Sequence, residues 1–111
     1  MNTGTFAGHV GTAAKLEHTQ GGKAVASFSM AIDNGKESNG QKRDPTWIKA
    51  VLWEKKAEAL AQYITKGKMV VVSGPVSVEA WISRKGNEAQ AVIVCTVREL
   101  TFGGGGDKPE K

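Results

Sequence analysis

Several things are scarce in this chain. Cysteine occurs once, at Cys95, so no internal disulfide can form, and a reducing compartment is expected. With only two histidines beside that cysteine, the Cys/His sets that hold structural zinc are excluded. No apolar run approaches the ~20 residues that span a bilayer. The longest is Ala91 to Cys95. The N-terminus lacks a basic segment leading into an apolar one, so no secretory signal is expected. Neither sign of charge dominates: 15 Lys and Arg face 11 Asp and Glu, a net +4. Such an excess suits an anionic partner, but it is also ordinary for a small domain that needs only solubility. At 111 residues and 40% hydrophobic content, the chain has the size and composition of one globular domain with its own core.

What is present reads mostly as strand. β-formers punctuated by Gly4, Gly8 and Gly11 predict a strand over Asn2–Gly11, continuing after a bend to His18. Gln20–Lys23 predicts a turn. Ala24, Ala26, Phe28, Met30 and Ile32 alternate along Ala24–Asp33 and predict a half-buried strand. Asn34–Pro45 is nearly free of apolar residues and predicts a basic-leaning mobile loop. In Thr46–Trp53, Ile48, Ala50 and Leu52 form a core face, with Trp47, Lys49, Val51 and Trp53 opposite. The period then changes. Ala57, Leu60, Ala61 and Ile64 form one stripe of a helix over Glu54–Lys66, and Lys66-Gly67-Lys68 supplies a basic, glycine-capped stop. Strands are predicted over Lys68–Gly74 and Val76–Ile82, divided by Gly74-Pro75, with Val76, Val78, Ala80 and Ile82 on the core face. Arg84–Asn87 predicts a hairpin tip. Glu88–Phe102 predicts a last strand, apolar on both faces to Val97 and therefore covered on both. Gly103 to Gly106 and the charged residues to Lys111 predict a flexible exit. The expected organisation is a domain over 1–102 and a tail over 103–111. Five β segments with one short helix between the third and fourth give an all-β fold, the five-stranded Greek-key barrel of the OB-fold.

Three tryptophans carry the functional reading. Trp47, Trp53 and Trp81 each lie on the strand face opposite the core face, and cations follow each closely: Lys49, Lys55 and Lys56, Arg84 and Lys85. Aromatic rings on an accessible sheet face with basic neighbours form a platform on which bases stack while Lys and Arg follow the phosphates. A single tryptophan is more often core packing. Three on the polar face, one sharing it with Lys49, reverse that weighting. Phe6, Phe28, Phe102 and Tyr63 are assigned to core or interface. No reactive constellation stands out. Glu54 and Glu58 suit a helix start, His9 and His18 lack a partner at a recognisable spacing, and Cys95 alternates with apolar residues as a core thiol would. Gly103–Gly106 lacks the Lys-Ser/Thr of a phosphate loop. Neither catalysis, a metal nor a cofactor is expected.

The chain resembles the bacterial-type single-stranded DNA-binding proteins. The carrying residues are Asn2 with Gly8-x-x-Gly11; Gly22-x-Ala24-Val25-Ala26-x-Phe28-Ser29-x-Ala31; Thr46-Trp47-x-x-x-Val51-x-Trp53; Ala57 to Tyr63; Lys66-Gly67; Val72-x-Gly74; and Trp81. Their order and spacing run to Phe102. The resemblance implies an OB-fold and stacking aromatics at Trp47, Trp53 and Trp81, where relatives often have Phe in place of Trp53. It implies phosphate contacts at Lys49, Lys55, Lys66, Lys68 and Arg84, to which the hairpin adds Lys85. It also implies coating and protection of single strands in replication, recombination and repair with little sequence specificity. Further implications are a homotetramer built from dimers paired through the first strand, and a cytoplasmic, nucleoid-associated or organellar location. From the residues alone, apolar patterning on both faces of several strands implies only self-association. Three departures stand out. Asn34-Gly35-Lys36 offers no ring where many relatives carry an aromatic residue, Ile48 stands where many have His, and the sequence stops at Glu110-Lys111 without the acidic tip that recruits replication and repair enzymes. Two rivals are a primosome-type OB adaptor, which the full tryptophan set argues against, and an RNA-binding OB domain.

Overall fold

The computed structural model describes residues 2–86 and 88–103. It contains strands β1 (Thr3–His18), β2 (Ala24–Ile32), β3 (Thr46–Trp53), β4 (Met69–Ile82), β5 (Ala89–Thr96) and β6 (Glu99–Phe102), with one helix, α1 (Glu54–Leu60). Most of the tail expected over 103–111 lies outside the described residues.

Five strands close into a ring in the order β1-β2-β3-β5-β4, returning to β1, with β6 added beside β4. β1 makes the closure possible. Its first half, Thr3–His9, pairs with Pro75–Met69 of β4; its second half, His9–His18, pairs with Ala31–Ala24 of β2. The register slips between Val10 and Thr12 and again before Lys15, so the strand bends at the predicted place without breaking. β3 and β5 run parallel and the other pairs antiparallel. This is the OB-fold barrel expected from the element order.

The core follows the alternation of the sequence. Ala24, Ala26, Phe28 and Met30 of β2, Ile48, Ala50 and Leu52 of β3, and Val70 and Val72 of β4 are buried inside the ring with Cys95. Each large apolar side chain so buried contributes roughly 1.5–3 kcal/mol. α1 closes one end through the predicted stripe: Ala57 and Ile64 are buried, and Leu60 and Ala61 pack beside them. The regular helix is shorter than expected. It ends at Leu60, passes through a 3₁₀ turn at Ala61–Tyr63, and reaches β4 by the Lys66-Gly67 turn, where Gly67 takes φ 93°. Tyr63, offered as core or interface, is 52% exposed on that 3₁₀ turn, so it is not core.

Three strand expectations are corrected. Gly74-Pro75 does not divide two strands; β4 runs through it and changes neighbours there. Up to Ser73 it pairs with β6, and from Val76 with β5. Proline fits because the β5–β4 ladder starts only after it. The last predicted strand breaks instead. Val97 donates its N–H to the Val51 carbonyl and Arg98 donates to that of Ser73, so the chain leaves β3 and returns to β4 as β6. Finally, the outer half of the β4–β5 hairpin reaches past the barrel. Val78 and Ile82, expected inside, are 65% and 69% exposed, and Ala89 and Ala91 are exposed on β5. Their side is the core side by register, but nothing among the described residues covers it. The loop 34–45 folds back on itself: Lys36 pairs with Lys42, and the Asn34 amide donates to the Asp44 carbonyl and to Thr46 Oγ1.

Candidate nucleic-acid interface

Strand register brings the three tryptophans to one face. Along β3, Trp47, Lys49, Val51 and Trp53 point away from the buried Ile48, Ala50 and Leu52. Lys49 stands beside Val94 of β5, which stands beside Ser77 of β4. Ser77, Glu79 and Trp81 therefore share the outer face with Trp47, Lys49 and Trp53. The Lys49 ammonium reaches Glu79 at 3.5 Å across that face, as this register requires. Trp47, Trp53 and Trp81 are 49%, 41% and 50% exposed. Each ring therefore offers a large part of its surface to solvent, where a base could stack.

Local structure sets each ring. The row His9–Ala31–Trp47 crosses β1, β2 and β3. A Cβ at Gly11 would overlap the six-membered ring of Trp47, so the glycine lets the indole lie against β1. Gly11 is a supporting residue that the spacing of β1 did not reveal by itself. Trp53 ends β3, and Glu54 after it takes φ 57°, a sharp corner that swings the chain into α1. Trp81 sits opposite Gln90 near the end of the β4–β5 hairpin.

The cations divide into groups. Lys49 lies among the rings, partly neutralised by Glu79, a partner the sequence did not signal. Lys55 lies on α1 beside Trp53, and the two share one groove. Arg84 and Lys85 form the hairpin tip beyond Trp81, where Ser83 donates its N–H to the Glu88 carbonyl to close the turn. Lys66 and Lys68 stand apart, in the α1–β4 turn that hydrogen-bonds to both sides of Val10 on β1. The Lys68 ammonium sits 5.0 Å from the centroid of the Phe102 ring. Cys95 is buried, and burial pushes its thiol above the ordinary 9.0, so it fits a core thiol rather than a nucleophile.

A small OB barrel that displays three rings and a lysine on one sheet face has the parts of a base-stacking platform. Comparison places it further. The model of the single-strand binding protein family matches residues 1–102, and the chain belongs to that family. A single-stranded DNA-binding protein of Borreliella burgdorferi is 32% identical over 101 residues, covering 90% of this chain and 68% of the relative. Those of Chlamydia pneumoniae and Chlorobaculum tepidum are 31% and 33% identical, and this chain spans 61% and 64% of their lengths. Among solved structures, the Plasmodium falciparum SSB complex with ssDNA superposes with a TM-score of 0.71 at 22% identity. It covers 94% of this chain and 96% of that one, a likeness of fold. The family is one of binding proteins, not enzymes.

Proposed function

We propose that this chain binds single-stranded DNA without catalysis, stacking bases on Trp47, Trp53 and Trp81. The observation that carries the reading is the common face of three half-exposed indoles. Lys49, Lys55, Arg84 and Lys85 flank the rings and would take phosphates; Lys66 and Lys68 would contact only a strand that wraps to the α1–β4 turn. Sequence preference is weak because every base has a π face. The biological role is coating and protection of single strands in replication, recombination and repair, in the cytoplasm with the nucleoid or in an organellar matrix. The domain comprises 1–102, with 103–111 as its tail. Self-association, as the homotetramer of the resemblance, is supported by the uncovered Val78 and Ile82. It is also supported by the edge of β1 over Thr3–Gly8, since β2 pairs only from His9 onward. A strand edge so placed accepts another strand.

Titration with oligo-dT tests the reading. Tryptophan emission should fall strongly, and Trp47→Ala, Trp53→Ala or Trp81→Ala should each weaken binding by about 1–3 kcal/mol. Unchanged emission at a saturating oligomer concentration refutes stacking. A tryptophan variant that melts early but binds normally marks that ring as structural. A ribo-oligomer of equal length bound more tightly would favour the RNA reading, since the 2′-OH is the distinguishing group.

A further inference from the structure

At Trp53 the outer face ends, and two adjoining grooves open. The first, about 510 Å³, lies between Trp53, the start of α1 and the corner joining β5 to β6. The second, about 710 Å³, continues between α1 and β6. Lys55, Lys56 and Arg98 line both, which makes them one continuous channel. All three are exposed, and none forms an ion pair with a described residue, although Glu54 lines the first groove and Glu99 the second. Beyond the cations the second groove is lined by the half-buried Leu60 and Leu100. Arg98 is there because the chain breaks between β5 and β6 and hydrogen-bonds back to Ser73. In an uninterrupted last strand it would have faced elsewhere.

We propose that this channel carries the strand onward from Trp53 around the α1 corner of the barrel. Lys55, Lys56 and Arg98 hold successive phosphates, and a base lies against Leu60 and Leu100. Cations beside an apolar wall match a nucleotide's two parts. Continuity with Trp53 makes single-stranded DNA the occupant, ahead of an acidic peptide. The inference rests on the single-stranded DNA reading above and adds Lys56 and Arg98 to its contacts.

The test is the salt dependence of oligo-dT binding by the full chain and by the variants Arg98→Gln, Lys56→Gln and their double. Lys23→Gln, in the β1–β2 turn, serves as the control for simple charge loss. Each phosphate contact to a single strand contributes about 0.7 to the slope of log K against log salt, or about fivefold in affinity at 0.1 M. The double variant should therefore lose about 25-fold at 0.1 M and about 1.4 of slope. Unchanged melting temperature shows that the fold is intact. Wild-type-like slope and affinity in the double variant, or losses no larger than those of Lys23→Gln, overturn the channel. So does a double variant that keeps its oligo-dT affinity but loses binding of a poly-glutamate peptide. If the wild-type chain does not bind oligo-dT at all, the underlying reading fails and not this extension alone.

Discussion

Two residues show how single positions bear strain or charge in this barrel. Glu54 holds φ 57°, where a Cβ crowds the following carbonyl and glycine alone is at ease. The corner is unavoidable, because β3 must stop at Trp53 and α1 must start at once to close the barrel end. Glu54→Gly should therefore raise stability by about 0.5–1 kcal/mol, the left-handed penalty less the extra flexibility of unfolded glycine. Denaturant melts of both proteins check this; a lower midpoint for the glycine variant would mean that the corner is not strained. Cys95 lies inside the ring with its thiol held above 9.0 by desolvation. The folded chain then keeps its proton where the unfolded chain loses it. The contribution is fully present below pH 9.0 and is lost as pH rises through the folded value. Alkylation of Cys95 at pH 8 should accordingly be slow in the native protein and rapid after unfolding. Rapid labelling of the native protein would refute its burial.

At the scale of elements, β4 and its crossing explain most of what the sequence concealed. Gly74 lies where β4 changes neighbours, and a Cβ there would run into the Thr96 carbonyl. Because backbone opposes it, Gly74→Ala should cost about 1–3 kcal/mol. The denaturant midpoint should fall, and the folded fraction should bind oligo-dT with unchanged affinity. A midpoint equal to the wild type would show that the crossing tolerates a side chain. Local punctuation at Gly74-Pro75 suggested a strand end, since turn signals register only chain neighbours. The exchange of β6 for β5 is a long-range event and leaves no local mark. For the same reason the break at Val97-Arg98 was hidden within an apolar run. Ile48, Ala50 and Leu52, by contrast, were legible, because period two fixes which side chains share a face. Period does not say whether that face is covered. Val78 and Ile82 alternate as core residues do, yet their hairpin overruns the barrel. The tryptophan side of β3 was legible in the same alternation. Only register through β5 shows that Trp81 joins that face, and only the β5–β6 break brings Arg98 to Lys56.

Across the whole molecule, the ring depends on one long-range seam. Thr5 and Ser73 hydroxyls meet across it, 68 positions apart in the chain. The β1–β4 pairing joins the first strand to the fourth, so most of the chain must be gathered before the seam can form. The β1–β2, β2–β3 and β4–β5 pairs form between strands adjacent in the chain and need no such gathering. Closing the seam therefore carries the largest loop entropy and yields its contacts late, which places folding on the millisecond-to-second scale of β-barrels rather than that of helical bundles. Contacts made late weigh on the unfolding rate more than on the folding rate. The half of β1 that joins the ring thus sets how long the barrel stays shut, a question of lifetime in a protein whose three exposed tryptophans lie on other strands.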